Sequence, residues 1–234
     1  MLYLGKPQDR TFRYALSPHI MTEAITTLVN SPDKSDRIKV LNLIRELEPA
    51  IGFGYIKQLS ADPNARVRYG AVSQMATLGK QDLTTSLTIL RDRLINDPEP
   101  DVQAAAADTI GALKLTDAFE DLEDLYHTTP EWLVQFSIVA ALGELGDPRG
   151  LGLLQTALTS DTTLVQTAAI GAIGELGDRD GVESLIPFVT HDDWQVRYQT
   201  ARSLRNLGGE SAQQYLAILI QDDIPQVAQE ARGE

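Results

Sequence analysis

The chain repeats itself about every 31 residues, and that period limits its possible folds more than any other feature. The phrase Asp62-Pro63-Asn64-Ala65-Arg66-Val67-Arg68 resembles Ser31-Pro32-Asp33-Lys34-Ser35-Asp36-Arg37 and Asp97-Pro98-Glu99-Pro100-Asp101-Val102-Gln103. One position of the phrase serves as an anchor and falls at Asp36, Val67, Val102, Val134, Val165, Val196 and Val227. The spacings are 31, 35, 32, 31, 31 and 31. Self-similarity at a period of roughly 20–50 residues marks a stack of supersecondary units, none of which can bury its apolar face alone.

Each anchor opens a helical pattern. Four residues on stand Val40, Ala71, Ala106, Ile138, Ala169 and Thr200; eight on, Ile44, Met75, Ile110, Leu142, Ile173 and Leu204; eleven on, Leu47, Leu78, Leu113, Leu145, Leu176 and Leu207. These offsets share one face of a helix with about 3.6 residues per turn. Gly79, Gly146, Gly177 and Gly208 follow where a left-handed C-terminal cap needs glycine. A second apolar series comes next, for example Leu151, Leu154 and Leu158, or Val182, Leu185 and Val189. Sustained two-residue alternation is absent, so strands are not expected. The spacing predicts an all-α solenoid of about six to seven helix pairs over residues 17–234, with residues 1–16 as an N-terminal arm or cap. The seventh unit is expected to be truncated. The four extra residues between Val67 and Val102 should lengthen the Lys80–Asp97 helix or its loop.

Composition narrows the function. The chain has 234 residues and a formal net charge of -13. That excess argues against nucleic acid, whose affinity rests on Lys and Arg contacts to phosphate, and against an anionic membrane surface. No stretch approaches the roughly 20 apolar residues of a membrane span. Met1–Arg10 carries no secretory pattern, so a cytoplasmic location is expected. With no cysteine, the chain has no thiolate for a metal, a nucleophile or a thioether.

The pattern Val-Arg, Ala, Leu-Gly, Leu-Gly-Asp resembles HEAT repeats. More narrowly, AALGELGDPRGLGLL at 140–154 and GAIGELGDRDGVESLI at 171–186 look like the HEAT-like repeats of the phycobilisome lyase family. That family includes paired E/F-type bilin lyase subunits and non-bleaching protein B, and the compact single chain is most similar to the latter. The resemblance implies bilin binding or detachment from phycobiliprotein subunits during phycobilisome degradation. Its alternatives are a heterodimeric lyase subunit that attaches bilin, or a non-enzymatic scaffold for protein partners. The ligand implied is phycocyanobilin or a related linear tetrapyrrole, held without a covalent bond to cysteine.

Offsets 2, 6 and 9 oppose the core face and point to a concave binding surface. Its middle is small: Ala104, Gly111, Ala140, Gly143, Gly171 and Gly174. Tyr69, Phe136, Tyr198, Trp132 and Trp194 can stack on a conjugated plane. Arg197, Arg202 and Arg205 can pair with propionates. Asp108 can accept pyrrole N–H groups, and it is the candidate acid–base residue. Bland readings stand beside these. The small residues also let helices approach closely. Arg37, Arg68 and Arg197, each one past an anchor, are expected to bond the preceding turn aspartate. The acidic run Asp117, Glu120, Asp121, Glu123 and Asp124 reads as a solvated convex face. His19, His127 and His191 lie in separate units, so no metal site is expected.

Overall fold

The computed structural model describes residues 18–234, with side chains from Glu23 onward; the arm or cap expected over 1–16 lies outside them. The described residues form fourteen α-helices and no strand. Two layers alternate. The outer layer is α1 (Pro18–Val29), α3 (Pro49–Leu59), α5 (Leu83–Asn96), α7 (Phe119–Thr128), α9 (Gly150–Ala157), α11 (Val182–Leu185, extended by a 3-10 turn at Ile186–Phe188) and α13 (Gly209–Leu219). The inner layer is α2 (Lys34–Leu43), α4 (Ala65–Leu78), α6 (Pro100–Ala112), α8 (Trp132–Leu145), α10 (Thr163–Leu176), α12 (Trp194–Leu207) and α14 (Pro225–Arg232).

Every anchor lies on an inner helix. An outer helix precedes each, so the described pairs number seven, the last with an inner helix of only 8 residues. The seventh unit is truncated as expected, and what there is of it packs: Val227, Ala228 and Ala231 of α14 are buried. The four extra residues lengthen α5 to 14 residues, against 11 in α3 and 10 in α7. The core follows the predicted offsets. Val134, Ile138, Leu142 and Leu145 are all buried, as are Val196, Thr200, Leu204 and Leu207. Thr200 satisfies its hydroxyl on the Val196 carbonyl at 2.8 Å.

Two kinds of joint connect successive inner helices. In the middle of the stack, glycine removes the side chain that would hold the helices apart. A Cβ on Gly111 would lie 2.8 Å from the Ala141 Cα, one on Gly143 2.8 Å from the Ala172 Cα, and one on Gly174 2.6 Å from the Ser203 Cα. At the ends, arginine does the joining. Arg68 donates from Nε and Nη2 to Asp97, both at 2.7 Å, and from Nη1 to the Asp62 carbonyl at 2.9 Å. Arg37 holds Asp62 and Arg197 holds Asp222 in the same way, each with a closest contact of 2.6 Å. The expected direction is therefore corrected. The carboxylate belongs to the following turn, and the preceding turn supplies carbonyls.

The two joints exclude each other. Gln103, Gln135 and Gln166 replace arginine wherever the next turn carries Thr129, Ser160 or His191 instead of aspartate, and those are the glycine joints. Gln166 reaches only its own preceding turn, donating to the Leu158 carbonyl at 2.8 Å.

Outer helices meet through long side chains, as in Arg91 to Asp121 at 2.6 Å and Gln155 to Ser184 at 2.9 Å. Backbone contact within and side-chain spans without bend the stack around its inner face. The glycine caps are only partly as predicted. Gly146 (φ 70) and Gly177 (φ 75) are left-handed caps. Gly208 has φ 62 with ψ -165, outside that region. Gly79 is right-handed, φ -65, and a Cβ there would lie 2.8 Å from the Ser86 hydroxyl.

Gly143→Ala should destabilise the protein by about 1–3 kcal/mol, since an overpacked joint must shift backbone. Gly152→Ala, where a Cβ meets nothing within 4 Å, should stabilise by about 0.5–1 kcal/mol. Urea denaturation of both variants checks the contrast; equal effects would contradict the glycine joint.

Burial alone would raise the Asp97 carboxyl, but hydrogen bonds from Arg68 and the Glu99 amide, with the Arg68 and Arg93 charges, hold it below the usual range. A lowered folded pKa contributes stability above the unfolded value near 3.9 and loses it as pH falls through the folded value. Asp97→Asn should cost on the order of 3 kcal/mol at pH 7, because it leaves Arg68 buried without its ion partner. Denaturation at several pH values should show that difference shrinking below about pH 4.

Candidate functional site

The inner face carries three cavities in a row. The first, about 570 Å³, lies between α4, α6 and α8 and is lined by Tyr69, Ala104, Asp108, Leu133 and Ser137, with Arg66, Glu99 and Asp101 around it. The second, about 300 Å³, lies across α8, α10 and α12, with Phe136, Ala140, Leu164, Gly171, Glu175 and Gln199. The third, about 570 Å³, runs from α10 to α14, with Leu164, Thr167, Asp193, Trp194, Tyr198 and Gln199. Leu164, Thr167 and Gln199 are common to the last two, so these form one groove.

The predicted residues therefore fall into two groups. Tyr69 and Asp108 share the first cavity; Phe136, Trp194 and Tyr198 line the joined groove. Asp108 on α6 is three inner helices from Arg202 on α12. At about 8–10 Å per packed helix, they are some 25–30 Å apart. Trp132 opens α8 at the rim, 47% exposed and outside the lining of all three cavities. Arg197 is corrected: its guanidinium is committed to Asp222 and to the His191 carbonyl, at 2.7 Å. Arg205 is bound to Glu230 at 2.7 Å. Arg202 makes no ion pair among the described residues and stands one helical turn from Tyr198.

The small residues divide likewise. Ala140 and Gly171 line the groove, whereas Gly111, Gly143 and Gly174 are buried in the helix joints. Leu164, directly before its anchor and 55% exposed, was missed; it and Leu133 are the apolar residues at a place held elsewhere by Ser35, Arg66, Asp101, Gln195 and Gln226. The lining carboxylates Glu99, Asp101, Glu175 and Asp193 were also missed, because they carry no motif.

The profile of HEAT repeats matches residues 87–170 and 151–233, more than half of the chain. The chain belongs to the HEAT-repeat family. Among curated proteins no relative matches. Of solved structures, the complex of CpcE and CpcF of phycocyanin lyase from Nostoc is similar at 19% identity and TM-score 0.59, with 98% of each chain covered. The YibA protein of Escherichia coli is similar at 15% identity and TM-score 0.65, covering 92% of this chain and 81% of that one. Both likenesses are of fold. Among the described residues no helix of this HEAT stack is long and apolar enough to cross a membrane.

Two groups on the inner face of this HEAT stack, one in the first cavity and one in the groove, titrate away from their ordinary values. Burial in the floor between α6 and α8 raises the Asp108 carboxyl; a hydrogen bond from Ser137 opposes this and the Glu144 charge reinforces it. The residue as a whole is nonetheless exposed. The Tyr198 phenol is raised by its hydrogen bond to Glu230 and that carboxylate's charge, against Arg202 and Arg205.

Asp108 has the opposite sign to Asp97. A raised folded pKa favours the fold only below the unfolded value and costs stability as pH rises through the folded one. Asp108→Asn should therefore leave stability at pH 7 unchanged or higher, and carbon NMR should show the wild-type carboxyl titrating above the aspartate value of about 3.9. A titration at or below that value would contradict the buried floor.

Proposed function

We propose that the inner groove holds a linear tetrapyrrole and that the protein removes this chromophore from phycobiliprotein subunits as phycobilisomes are degraded. The observation that carries the reading is the row Phe136, Leu164, Trp194 and Tyr198 along one continuous groove, on a fold similar over its whole length to phycocyanin lyase chains. Flat conjugated rings stack on exposed aromatic faces. Arg202, without an ion partner beside Tyr198, suits a propionate. The lining carboxylates suit pyrrole N–H donors. Without cysteine in the chain, the chromophore is held noncovalently.

Removal reverses the addition of a cysteine thiol to a carbon–carbon double bond. A base takes the proton from the carbon beside the thioether carbon, the C–S bond breaks, the double bond forms, and the sulfur leaves as thiol after regaining a proton. The groove's own carboxylates, Glu175 and Asp193, are the candidates for both transfers, since Asp108 lies in the separate first cavity. The likeness to CpcE and CpcF favours a second reading, in which the same groove attaches the chromophore.

Absorbance decides. Mixed with phycocyanobilin, the protein should shift and sharpen the visible band, and Tyr198→Ala and Arg202→Ala should each weaken binding by about tenfold, or about 1.4 kcal/mol. Unchanged affinity in both variants would remove this placement. With holo-phycocyanin, loss of the bound-chromophore spectrum supports removal. Gain of that spectrum by apo-subunit plus free bilin supports attachment.

A further inference from the structure

The inner face is acidic as well as apolar. Its three cavities are lined by Glu99, Asp101, Asp108, Glu175 and Asp193 against a single cation, Arg66. Between these carboxylates run exposed or half-exposed apolar side chains: Leu133 and Phe136 on α8, Leu164 on α10, Trp194 and Tyr198 on α12. Large apolar side chains left open along a groove mark a surface that something covers.

Charge selects the occupant. A nucleic acid or an anionic membrane is repelled by the lining. A second copy of this chain, at net charge -13, also brings like charge. Geometry selects its shape. The apolar side chains step once per inner helix, about 8–10 Å. An α-helix laid across the layer returns the same face every seven residues, about 10.5 Å at 1.5 Å per residue. A helix with apolar residues at that interval therefore meets α8, α10 and α12 in turn, and lysines or arginines on its flanks meet Glu175 and Asp193.

We propose that this groove docks a basic amphipathic α-helix of a partner protein, crossing α8 to α12 with its apolar stripe on Phe136, Leu164 and Trp194. The inference does not rest on the tetrapyrrole reading, and its probe carries no chromophore, so the two fail separately.

Tryptophan fluorescence tests it, because the chain has only Trp132 and Trp194; Trp132→Phe leaves Trp194, in the groove, as the sole reporter. Three synthetic helical peptides are titrated into the full chain: leucines every seven residues with flanking lysines, the same with glutamates, and the lysine peptide with its leucines scrambled. The first is expected to shift Trp194 emission to the blue and shield it from acrylamide, with affinity falling as salt rises. Leu164→Ser and Glu175→Lys, both exposed positions checked for folding by circular dichroism, should each weaken it about tenfold. Equal binding of the glutamate or scrambled peptide, unchanged affinity in both variants, or no binding of the lysine peptide would overturn the proposal.

Discussion

The stack depends on how closely its inner helices can approach. Gly111, Gly143 and Gly174 leave no Cβ between neighbouring backbones, and helix–helix distance is set there by main-chain atoms. Everything functional follows from that distance. It brings side chains of α8, α10 and α12 close enough to share one groove, and it shortens the inner layer relative to the outer. The groove's walls are thus a by-product of residues that never reach its surface.

Periodicity made the fold legible. Apolar offsets of 0, 4, 8 and 11 named the buried face, and the extra four residues found their place in α5. The sequence was less informative about relations between repeats. Arg68 could face either neighbouring turn, and only the assembled stack shows it reaching forward to Asp97. Gly79 and Gly208 occupy the same register as Gly146 and Gly177 but adopt other backbone angles, because the chain after them continues differently. Offset arithmetic placed Tyr69, Asp108 and Tyr198 on one face, yet a face that spans several helices is longer than one ligand. The acidic lining was invisible because carboxylates on a helix read as ordinary solubility.

The groove combines properties that rarely coincide on a solvated surface. Aromatic and aliphatic side chains give it affinity for flat or amphipathic matter. Its carboxylates demand donors or cations opposite them. Arg202, one helical turn from Tyr198 and outside the lining itself, is a cation near one end. A chromophore with N–H groups inside and carboxylates at one end, or a helix with basic flanks, meets those demands in different ways.

The division between glycine joints and arginine joints also says how such an array can grow. A Gln–Gly unit asks nothing of the turn that follows it, since Gln166 is satisfied within its own repeat. It can be copied next to itself without leaving a group unpaired. An arginine unit that opens on Ser31 or His191 cannot: duplicate it alone and one guanidinium faces a turn without an aspartate. The array can therefore lengthen in its middle by simple duplication, whereas its ends must change in matched pairs. The α8 and α10 side of the groove lies in the part that is free to lengthen, and its far wall, from α12 to α14, is held by the Arg197–Asp222 joint.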